Sequence, residues 1–204
     1  MATLYLMRHG ETMFNEQCRI QGWCDSPLTE RGCEQARAAG RMLAGRGVVV
    51  DHAYCSTAER ASDTLELVLG AMGQPMPYER MKGLREHYHG VLEGESERLN
   101  AHVDFHHMDE FYLQFGGETV AQTRDRVVAA LEDVMARPGH GSVLVVSHAG
   151  ACLSALECWA DFDTLMAGGL GNCTVWVVDV DAEALRAGAG AKAFSLREVL
   201  HPEA

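Results

Sequence analysis

The chain has 204 residues, of which 47% are hydrophobic and 23% are charged. This composition is close to the average of globular proteins and unlike that of disordered chains. The 29 acidic residues outnumber the 17 Lys and Arg residues, so the formal charge is −12. Nucleic acids and acidic membranes are therefore disfavoured as general partners, because both need a basic face. An anionic ligand must be held by a local cluster of Arg or Lys.

Cysteine content and hydropathy bear on the cellular compartment. The seven cysteines include no C-x-x-C pair, and an odd number of this kind favours reduced thiols in a cytoplasm. The N-terminus does not resemble a signal peptide. No apolar run reaches the roughly 18 residues that span a bilayer. We therefore expect a soluble, cytoplasmic protein.

Short apolar runs alternate with amphipathic stretches, which predicts an α/β sheet covered by helices on both faces. The predicted strands are Leu4–Met7, His52–Ser56, a short one near Met76–Tyr78, Ser142–Ser147, Cys173–Asp179 and Ala193–Val199. The predicted helices are Glu30–Ala44, Thr57–Ala71, Thr119–Arg137 and Ala149–Trp159. The segment Lys82–Gly117 has no clear period, and Asp181–Gly190 is expected to be a loop. Without repeats or a linker, the expectation is one domain over residues 1–204.

Two histidines follow predicted strands at equivalent points. His9 comes after the first strand, and His148 comes directly after Ser142–Ser147. Ligands of open α/β sheets bind at the carboxyl ends of the strands. If the two strands are parallel neighbours, both imidazoles face one pocket. Free N–H groups of a helix that begins near Ala149 would favour an anion there.

The run Arg8-His9-Gly10-Glu11-Thr12 resembles the signature of the histidine phosphatase superfamily, in its phosphoglycerate mutase-like branch. Further matches follow in the order of that family. They are Asn15 with Gln21-Gly22, the run from Cys55 to Ala61, Leu84-Arg85-Glu86 with Gly90 and Glu93-Gly94, and the run from Ser147 to Gly150. The resemblance implies a three-layer α/β/α sandwich around a mostly parallel, mixed six-stranded sheet.

The same resemblance implies a role for each matched side chain. His9 would attack phosphorus and become a phosphohistidine. Arg8 and Arg60 would bind the phosphoryl oxygens, and His148 would stabilise charge in the transition state. Glu86 would first protonate the leaving group and then activate water. The implied substrate-binding residues are Asn15, Gln21, Gly22, Ala149 and Gly150.

Other interpretations of these residues stay open. Arg60 could form a solvated ion pair with Asp63, three residues later on a helix, and Glu11 is a weaker candidate than Glu86 for the acid. His102 and His106 have the i, i+4 spacing that can bind Zn²⁺. No H-E-x-x-H pattern is present, and the resemblance needs no metal, so we expect neither a metal nor a cofactor. The role of the His-rich segment His87–His107 is not fixed by the sequence.

The expected reaction is hydrolysis of a small phosphomonoester. A phosphoglycerate mutase must shield its phosphohistidine from water and bind substrate carboxylates with cations. The mutases of the family carry a long, basic insertion for this purpose, whereas Glu95–Gly116 is short and has Arg98 as its single Arg or Lys. A cofactor-dependent mutase and a catalytically silent phosphate-binding module are the alternatives. A small phosphorylated metabolite is the expected partner, and a homodimer is a possible assembly.

Four aromatic residues in or near the irregular segment have two possible fates. They are Phe105, Phe111, Tyr112 and Phe115. Such side chains could line an apolar substrate pocket, or they could close the core, which is the commoner fate of buried aromatics.

Overall fold

The computed structural model of the protein describes residues 1–99, 108–166 and 169–203. Its strands are β1 (Ala2–Arg8), β2 (His52–Ser56), β3 (Glu79–Met81), β4 (Ser142–Ser147), β5 (Val175–Val180) and β6 (Phe194–Leu200). Its α-helices are α1 (Met13–Glu16), α2 (Glu30–Gly45), α3 (Glu59–Met72), α4 (Met108–Leu113), α5 (Val120–Ala136), α6 (Ala149–Leu156), α7 (Phe162–Met166) and α8 (Ala182–Arg186). Short 3-10 turns cover Lys82–Leu84, Gly90–Leu92, Glu97–Leu99 and Gly190–Ala193.

The strands form one mixed six-stranded sheet in the order β3-β2-β4-β1-β5-β6. The first four strands in this order are parallel to one another, and β5 runs antiparallel to both of its neighbours. Arg8 lies opposite Ser147 in the β1–β4 ladder. Because these neighbours are parallel and in this register, His9 and His148 leave the sheet side by side.

Helices cover both faces of the sheet, as the alternating pattern predicts. The central strand β4 shows why: Val143 and Val145 belong to one buried cluster, whereas Leu144 and Val146 belong to the other. Successive side chains of a strand point to opposite faces, so a continuous apolar run needs a cover on both. Helices α2 and α3 supply one cover, and α5, α6 and α8 supply the other. The expected α/β/α sandwich is confirmed.

The structure corrects several predicted elements. The third strand is Glu79–Met81 rather than Met76–Tyr78, and it begins only after Pro77. It lies at the edge of the sheet and pairs with β2 alone. The predicted loop Asp181–Gly190 was wrong, since α8 lies within it. Asp181 accepts hydrogen bonds from the N–H groups of Glu183 and Ala184 and thus starts that helix.

Helix ends and short helices also differ from the prediction. Helix α6 ends at Leu156, three residues before the predicted end. Helices α1, α4 and α7 have four to six residues each, which is too short for a helical period to be recognised in a sequence. Within the described ranges, no helix combines the length and the apolar character that crossing a bilayer requires.

Candidate active site

Two buried imidazoles form the floor of the candidate site. The rings of His9 and His148 lie edge to face, with their centroids 5.2 Å apart. Only 4% of His9 and none of His148 is exposed. The main-chain N–H of His9 donates to the carbonyl oxygen of Ser147 at 3.0 Å. This hydrogen bond connects the ends of the two strands. The convergence predicted from the strand positions is therefore present.

The hydrogen bonds of His9 define which ring nitrogen is available. Nδ1 lies 2.7 Å from the carbonyl oxygen of Gly10, so Nδ1 carries the proton and donates it. The lone pair is then on Nε2, which lies 3.4 Å from Nε of Arg60. Burial holds the pKa of His9 well below its usual value, and the charges of Arg60 and Arg8 lower it further. His9 is therefore a neutral imidazole with its nucleophilic nitrogen facing a guanidinium group.

Arg60 is fully buried and turned toward this floor. It lies in the first turn of α3, and Nη1 donates to the carbonyl oxygen of Cys24 and to Oδ1 of Asp25, both at 2.9 Å. Nη2 donates to the carbonyl oxygen of Gly22 at 2.7 Å. The alternative of a solvated pair with Asp63 was wrong, because the side chain points inward and its carboxylate partner is Asp25.

Several buried side-chain nitrogens at the floor lack partners in the described parts of the chain. Nε of Arg8 and both ring nitrogens of His148 have none, although Nη1 of Arg8 donates to the carbonyl oxygen of Leu170. Burial holds the pKa of His148 well below its usual value, and Arg60 lowers it further. Buried polar atoms in folded proteins are nearly always hydrogen-bonded. Such unfilled positions beside two guanidinium groups suit an anion.

Glu86 lies next to this floor with 8% of its surface exposed. Its carboxylate accepts hydrogen bonds from the N–H groups of Gly150 at 2.9 Å, Ala151 at 2.7 Å and His87 at 2.8 Å. The carboxylate thus caps the first turn of α6, where the helix dipole favours negative charge. The predicted ligand Gly150 gives its N–H to Glu86, and a Cβ at this position would lie 2.9 Å from Oε1 of Glu86.

A cavity of about 170 Å³ opens above the floor. Predicted site residues that line it are Arg8, His9, Asn15, Gln21, Glu86 and Ala149. A smaller cavity of about 70 Å³ lies on the other side of Glu86 and is lined by Gly22 and His148, among others. Glu86 borders both cavities, so it shares one lining with His9 and the other with His148.

Asn15 and Gln21 are fixed by hydrogen bonds to the chain. Oδ1 of Asn15 accepts from the N–H of Thr12 at 3.2 Å and from Nδ2 of Asn172 at 3.3 Å. Oε1 of Gln21 accepts from the hydroxyl of Thr12 at 2.8 Å, and Nε2 of Gln21 donates to Ser26. Both amides line the cavity, but these bonds already use part of their hydrogen-bonding capacity.

Gly22 has a structural reason to be glycine. A Cβ there would lie 2.2 Å from the carbonyl oxygen of His87. Its N–H donates to Oε2 of Glu93 at 3.1 Å, and its carbonyl oxygen accepts from Arg60. Glu93 also accepts from the N–H groups of Trp23, Cys24 and His89. The loop that holds Arg60 is therefore anchored on one partly buried carboxylate.

That anchoring stabilises the charged form of Glu93. Burial alone would raise the pKa of Glu93, but hydrogen bonds from His89, Cys24 and nearby main-chain N–H groups outweigh burial and lower it to about 2. Sequence reasoning placed Glu93 in a motif without giving it this role.

Asn172 and Asp25 contribute to the site without any sequence signal of their own. Nδ2 of Asn172 donates to the carbonyl oxygen of His9 at 3.1 Å, and Asp25 binds Arg60. Asn172 lies just before β5, which is the other neighbour of β1. Only the sheet order, which periodicity does not give, brings it beside His9. Arg19, His89 and Glu97 are further cavity residues that sequence reasoning did not assign.

The remaining candidates lie away from the floor or outside the described residues. The Glu11 carboxylate accepts from the hydroxyl of Thr29 at 2.8 Å and lies 3.5 Å from Arg31, so it does not line the cavity. His102, His106, His107 and Phe105 fall in 100–107, outside the described residues. Within the described ranges, no group of three or more His, Cys, Asp or Glu side chains could hold a metal ion.

Three of the aromatic residues pack together rather than line the cavity. Tyr112 forms a small buried cluster with Ile20 and Leu92, and Phe111 and Phe115 pack against it. Nδ1 of His87 lies 2.9 Å from the hydroxyl of Thr123 in the same region. These three aromatic residues therefore contribute to the core.

The sheet and its strand-end imidazoles define an α/β protein with a candidate site at the carboxyl ends of β1 and β4. The chain belongs to the histidine phosphatase superfamily (branch 1), whose family model matches residues 4–188. The resemblance noted in the sequence is thereby confirmed.

Individual relatives include both mutases and phosphatases. The 2,3-bisphosphoglycerate-dependent phosphoglycerate mutase of Hamiltonella defensa subsp. Acyrthosiphon pisum is 36% identical over 122 residues, which cover 59% of this chain and 45% of that protein. The matched stretch spans less than half of the length of each of three curated mutases. The structure of Bacillus stearothermophilus YhfR has a TM-score of 0.81 at 30% identity and covers 100% of both chains. A putative alpha-ribazole-5'-P phosphatase from Escherichia coli K-12 has a TM-score of 0.73 at 25% identity, with 96% and 94% covered.

Proposed function

We propose that the chain is a metal-independent phosphatase that hydrolyses a small phosphomonoester through a phosphohistidine on His9. One observation carries the proposal: the lone pair on Nε2 of His9 faces Arg60, beside His148, whose buried ring nitrogens have no partner in the described parts of the chain. A tetrahedral phosphoryl group would supply oxygens to these donors. The cavity of about 170 Å³ suits a small metabolite.

In the first step, Nε2 of His9 forms a bond to phosphorus while the bond from phosphorus to the leaving oxygen breaks. Arg8, Arg60 and His148 would hold the non-bridging oxygens and stabilise the charge of the transition state. The leaving oxygen takes a proton from the carboxyl group of Glu86. The products are a phosphohistidine and the free alcohol.

In the second step, the same carboxylate removes a proton from a water molecule. The oxygen of that water forms a bond to phosphorus while the bond from Nε2 to phosphorus breaks. Inorganic phosphate is released, His9 returns to its neutral form, and Glu86 is protonated again. No electron transfer is involved, and protons balance over the two steps.

The segment beyond Glu93 supports hydrolysis over transfer to phosphoglycerate. A mutase binds substrate carboxylates with cations, and Arg98 is the single Arg or Lys of Glu95–Gly116. The acidic Glu97 is this segment's contribution to the cavity, while Arg8 and Arg19, which also line it, come from elsewhere in the chain. The curated relatives favour the second candidate, a cofactor-dependent phosphoglycerate mutase, because all three are named as such.

The test is a set of turnover measurements with p-nitrophenyl phosphate and a panel of sugar and glycerate phosphates, in the presence of a metal chelator. We expect hydrolysis by the wild type and by H52A, and none by H9A. Equal turnover by H9A and the wild type would contradict the proposal. Interconversion of 3- and 2-phosphoglycerate that outpaces hydrolysis and depends on 2,3-bisphosphoglycerate would favour the mutase. Phosphate binding without phosphorylation of His9 would favour a silent binding module.

A further inference from the structure

The main chain that carries Glu86 is held by side chains from other elements. Four consecutive carbonyl oxygens, from Gly83 to Glu86, each accept a hydrogen bond from a side chain. Three of them accept from Arg126 of α5: Gly83 at 3.2 Å, Arg85 at 2.5 Å and Glu86 at 2.6 Å. The Leu84 carbonyl accepts from the Ser147 hydroxyl at 2.8 Å. Beyond the 3-10 turn at Lys82–Leu84, this segment has no helix or strand to fix it.

Glu118 completes the arrangement from the N-terminal side of α5. Its carboxylate accepts from Nε and Nη2 of Arg126 at 2.8 and 2.7 Å. The same carboxylate accepts from the N–H of Tyr88 at 3.0 Å and from the hydroxyl of Thr123 at 3.2 Å. The Arg126–Glu118 pair therefore touches the chain on both sides of Glu86.

The pair is shielded enough to act as a rigid contact. The side chains of Arg126 and Glu118 are 20% and 17% exposed. Burial raises the pKa of Glu118, but the hydrogen bonds and charge of Arg126 outweigh burial and lower it below its usual value. A bidentate Arg–carboxylate pair of this kind constrains the geometry of both side chains in addition to pairing their charges. Gly83 packs directly on α5, where an added Cβ would lie 2.8 Å from Cβ of Ala130.

We infer that Arg126 and Glu118 are positioning residues for Glu86, which they hold where it can pass a proton to the leaving oxygen and take one from water. This inference rests on the proposed function. Neither side chain lines the two cavities at the floor, and both bind the main chain beside Glu86. They act through the main chain from Gly83 to Tyr88, whose displacement would move the carboxyl group relative to His9.

The consequence is specific to substrates whose leaving group needs a proton. An alkoxide, such as that of glycerol phosphate, leaves poorly without one, whereas p-nitrophenolate is stable enough to leave unprotonated. A misplaced Glu86 therefore slows phosphorylation of His9 by glycerol phosphate and spares phosphorylation by p-nitrophenyl phosphate. Release of phosphate from His9 also needs Glu86 as a base, so p-nitrophenyl phosphate should give a burst of product in the first turnover.

The experiment compares R126M with the control R137M. Arg137 also binds two carboxylates, those of Glu79 and Asp133, and its remaining side-chain hydrogen bond among the described residues goes to the hydroxyl of Tyr54. For R126M, we expect the first turnover of glycerol phosphate to slow by about 10- to 100-fold and that of p-nitrophenyl phosphate by less than about 3-fold, since misplacement of about 1 Å can cost this much. R137M should match the wild type with both substrates. If R126M does not fold, the variant E118Q tests the same expectation, because glutamine has the shape of glutamate without its charge.

A second comparison separates positioning from general weakening of the fold. In an E86Q background, R126M should cause no further loss with glycerol phosphate, because the group that it positions no longer transfers a proton. Equal losses with both substrates, or the same loss in the E86Q background, would overturn the inference. If the wild type shows no turnover that depends on His9, the proposed function itself fails, which is a different outcome.

Discussion

Two of the histidine pairs in the described residues lie at opposite ends of the same sheet, and they differ in ring geometry and hydrogen bonding. His9 and His148 follow the carboxyl ends of β1 and β4, lie edge to face, and are almost fully buried. His52 and His140 lie at the amino ends of β2 and β4, with their rings stacked at 3.7 Å and 11°.

The second pair is satisfied by its neighbours. Nδ1 of His52 lies 2.9 Å from Oδ1 of Asp51, and Nε2 of His140 lies 2.7 Å from the hydroxyl of Tyr54. By contrast, both ring nitrogens of His148 lack a partner in the described residues. The two pairs share the residue type and a place at strand ends, although the ends are opposite ones. What distinguishes a binding site is the combination of burial, nearby guanidinium groups and unfilled hydrogen-bonding positions.

The largest expected effect comes from removing His9, the proposed nucleophile. We expect H9A to lower kcat by at least about 10³-fold, because no other group can form the covalent intermediate. The matched substitution H52A should leave kcat unchanged. Steady-state turnover of p-nitrophenyl phosphate checks both. A similar loss in the two variants would show that the contrast between the pairs has no functional meaning.

A smaller loss is expected for the second imidazole of the floor. H148A should lower kcat by about 10²- to 10³-fold, the usual cost of one donor to a developing oxyanion. It should also weaken binding of vanadate or inorganic phosphate, measured by calorimetry. H140A serves as the control and should bind both anions like the wild type. Unchanged anion binding by H148A would contradict the proposal that the ring nitrogens of His148 bind the anion.

The two histidine pairs also show which features of the fold and the site could be predicted from the sequence. The strands β2 and β4 were predicted with the observed bounds, because their patterns are local. The positions of His9 and His148 follow from strand ends alone. The partner of Arg60 could not be predicted, since Asp25 lies 35 residues earlier along the chain. The contact between Glu86 and the start of α6 likewise depends on tertiary structure that no local pattern contains.

Short elements and buried contacts account for the other differences. The proline spacing predicted a break after α3, but the strand begins only beyond Pro77. Helix α8 is a single capped turn, and its signal, Asp181 before Glu183, resembles that of an ordinary turn. Asn172 carries no motif and becomes part of the site only through the antiparallel placement of β5.

The dependence of kcat/KM on pH below 7 tests the protonation state of His9. Because burial and the two arginines lower the pKa of His9 from about 6.5, this proposed nucleophile stays neutral when the pH falls through that value. We expect kcat/KM to show no loss near pH 6.5 and to fall only at lower pH. A decline centred at the usual histidine pKa would contradict the described environment of His9.

Stability should respond to pH with a definite sign. His9 and His148 both have lowered pKa values in the folded protein, so below about pH 6.5 the unfolded chain binds protons that the native site does not. The contribution of these two histidines to the free energy of unfolding should be greatest above pH 6.5. It should decrease as the pH falls below that value. Urea denaturation should show a weaker decrease for H148A. An equal slope in the two proteins would contradict the buried neutral state.

The smallest effect is expected at the other end of the sheet. H140Q should lower the free energy of unfolding by about 1 kcal/mol, because Tyr54 loses a buried hydrogen bond. Thermal unfolding should shift by a few degrees, while kcat stays at the wild-type value. A large loss of activity without a change in stability would mean that this second pair is functional.

The most direct test of the account is to trap the intermediate. The protein is mixed with p-nitrophenyl phosphate, quenched within one turnover in alkali, digested, and analysed by mass spectrometry. We predict one phosphoryl group on the peptide that contains His9, stable in alkali and lost in acid, and equally present in H52A. Turnover of the substrate with no phosphoryl group on His9 at any quench time would contradict the central claim.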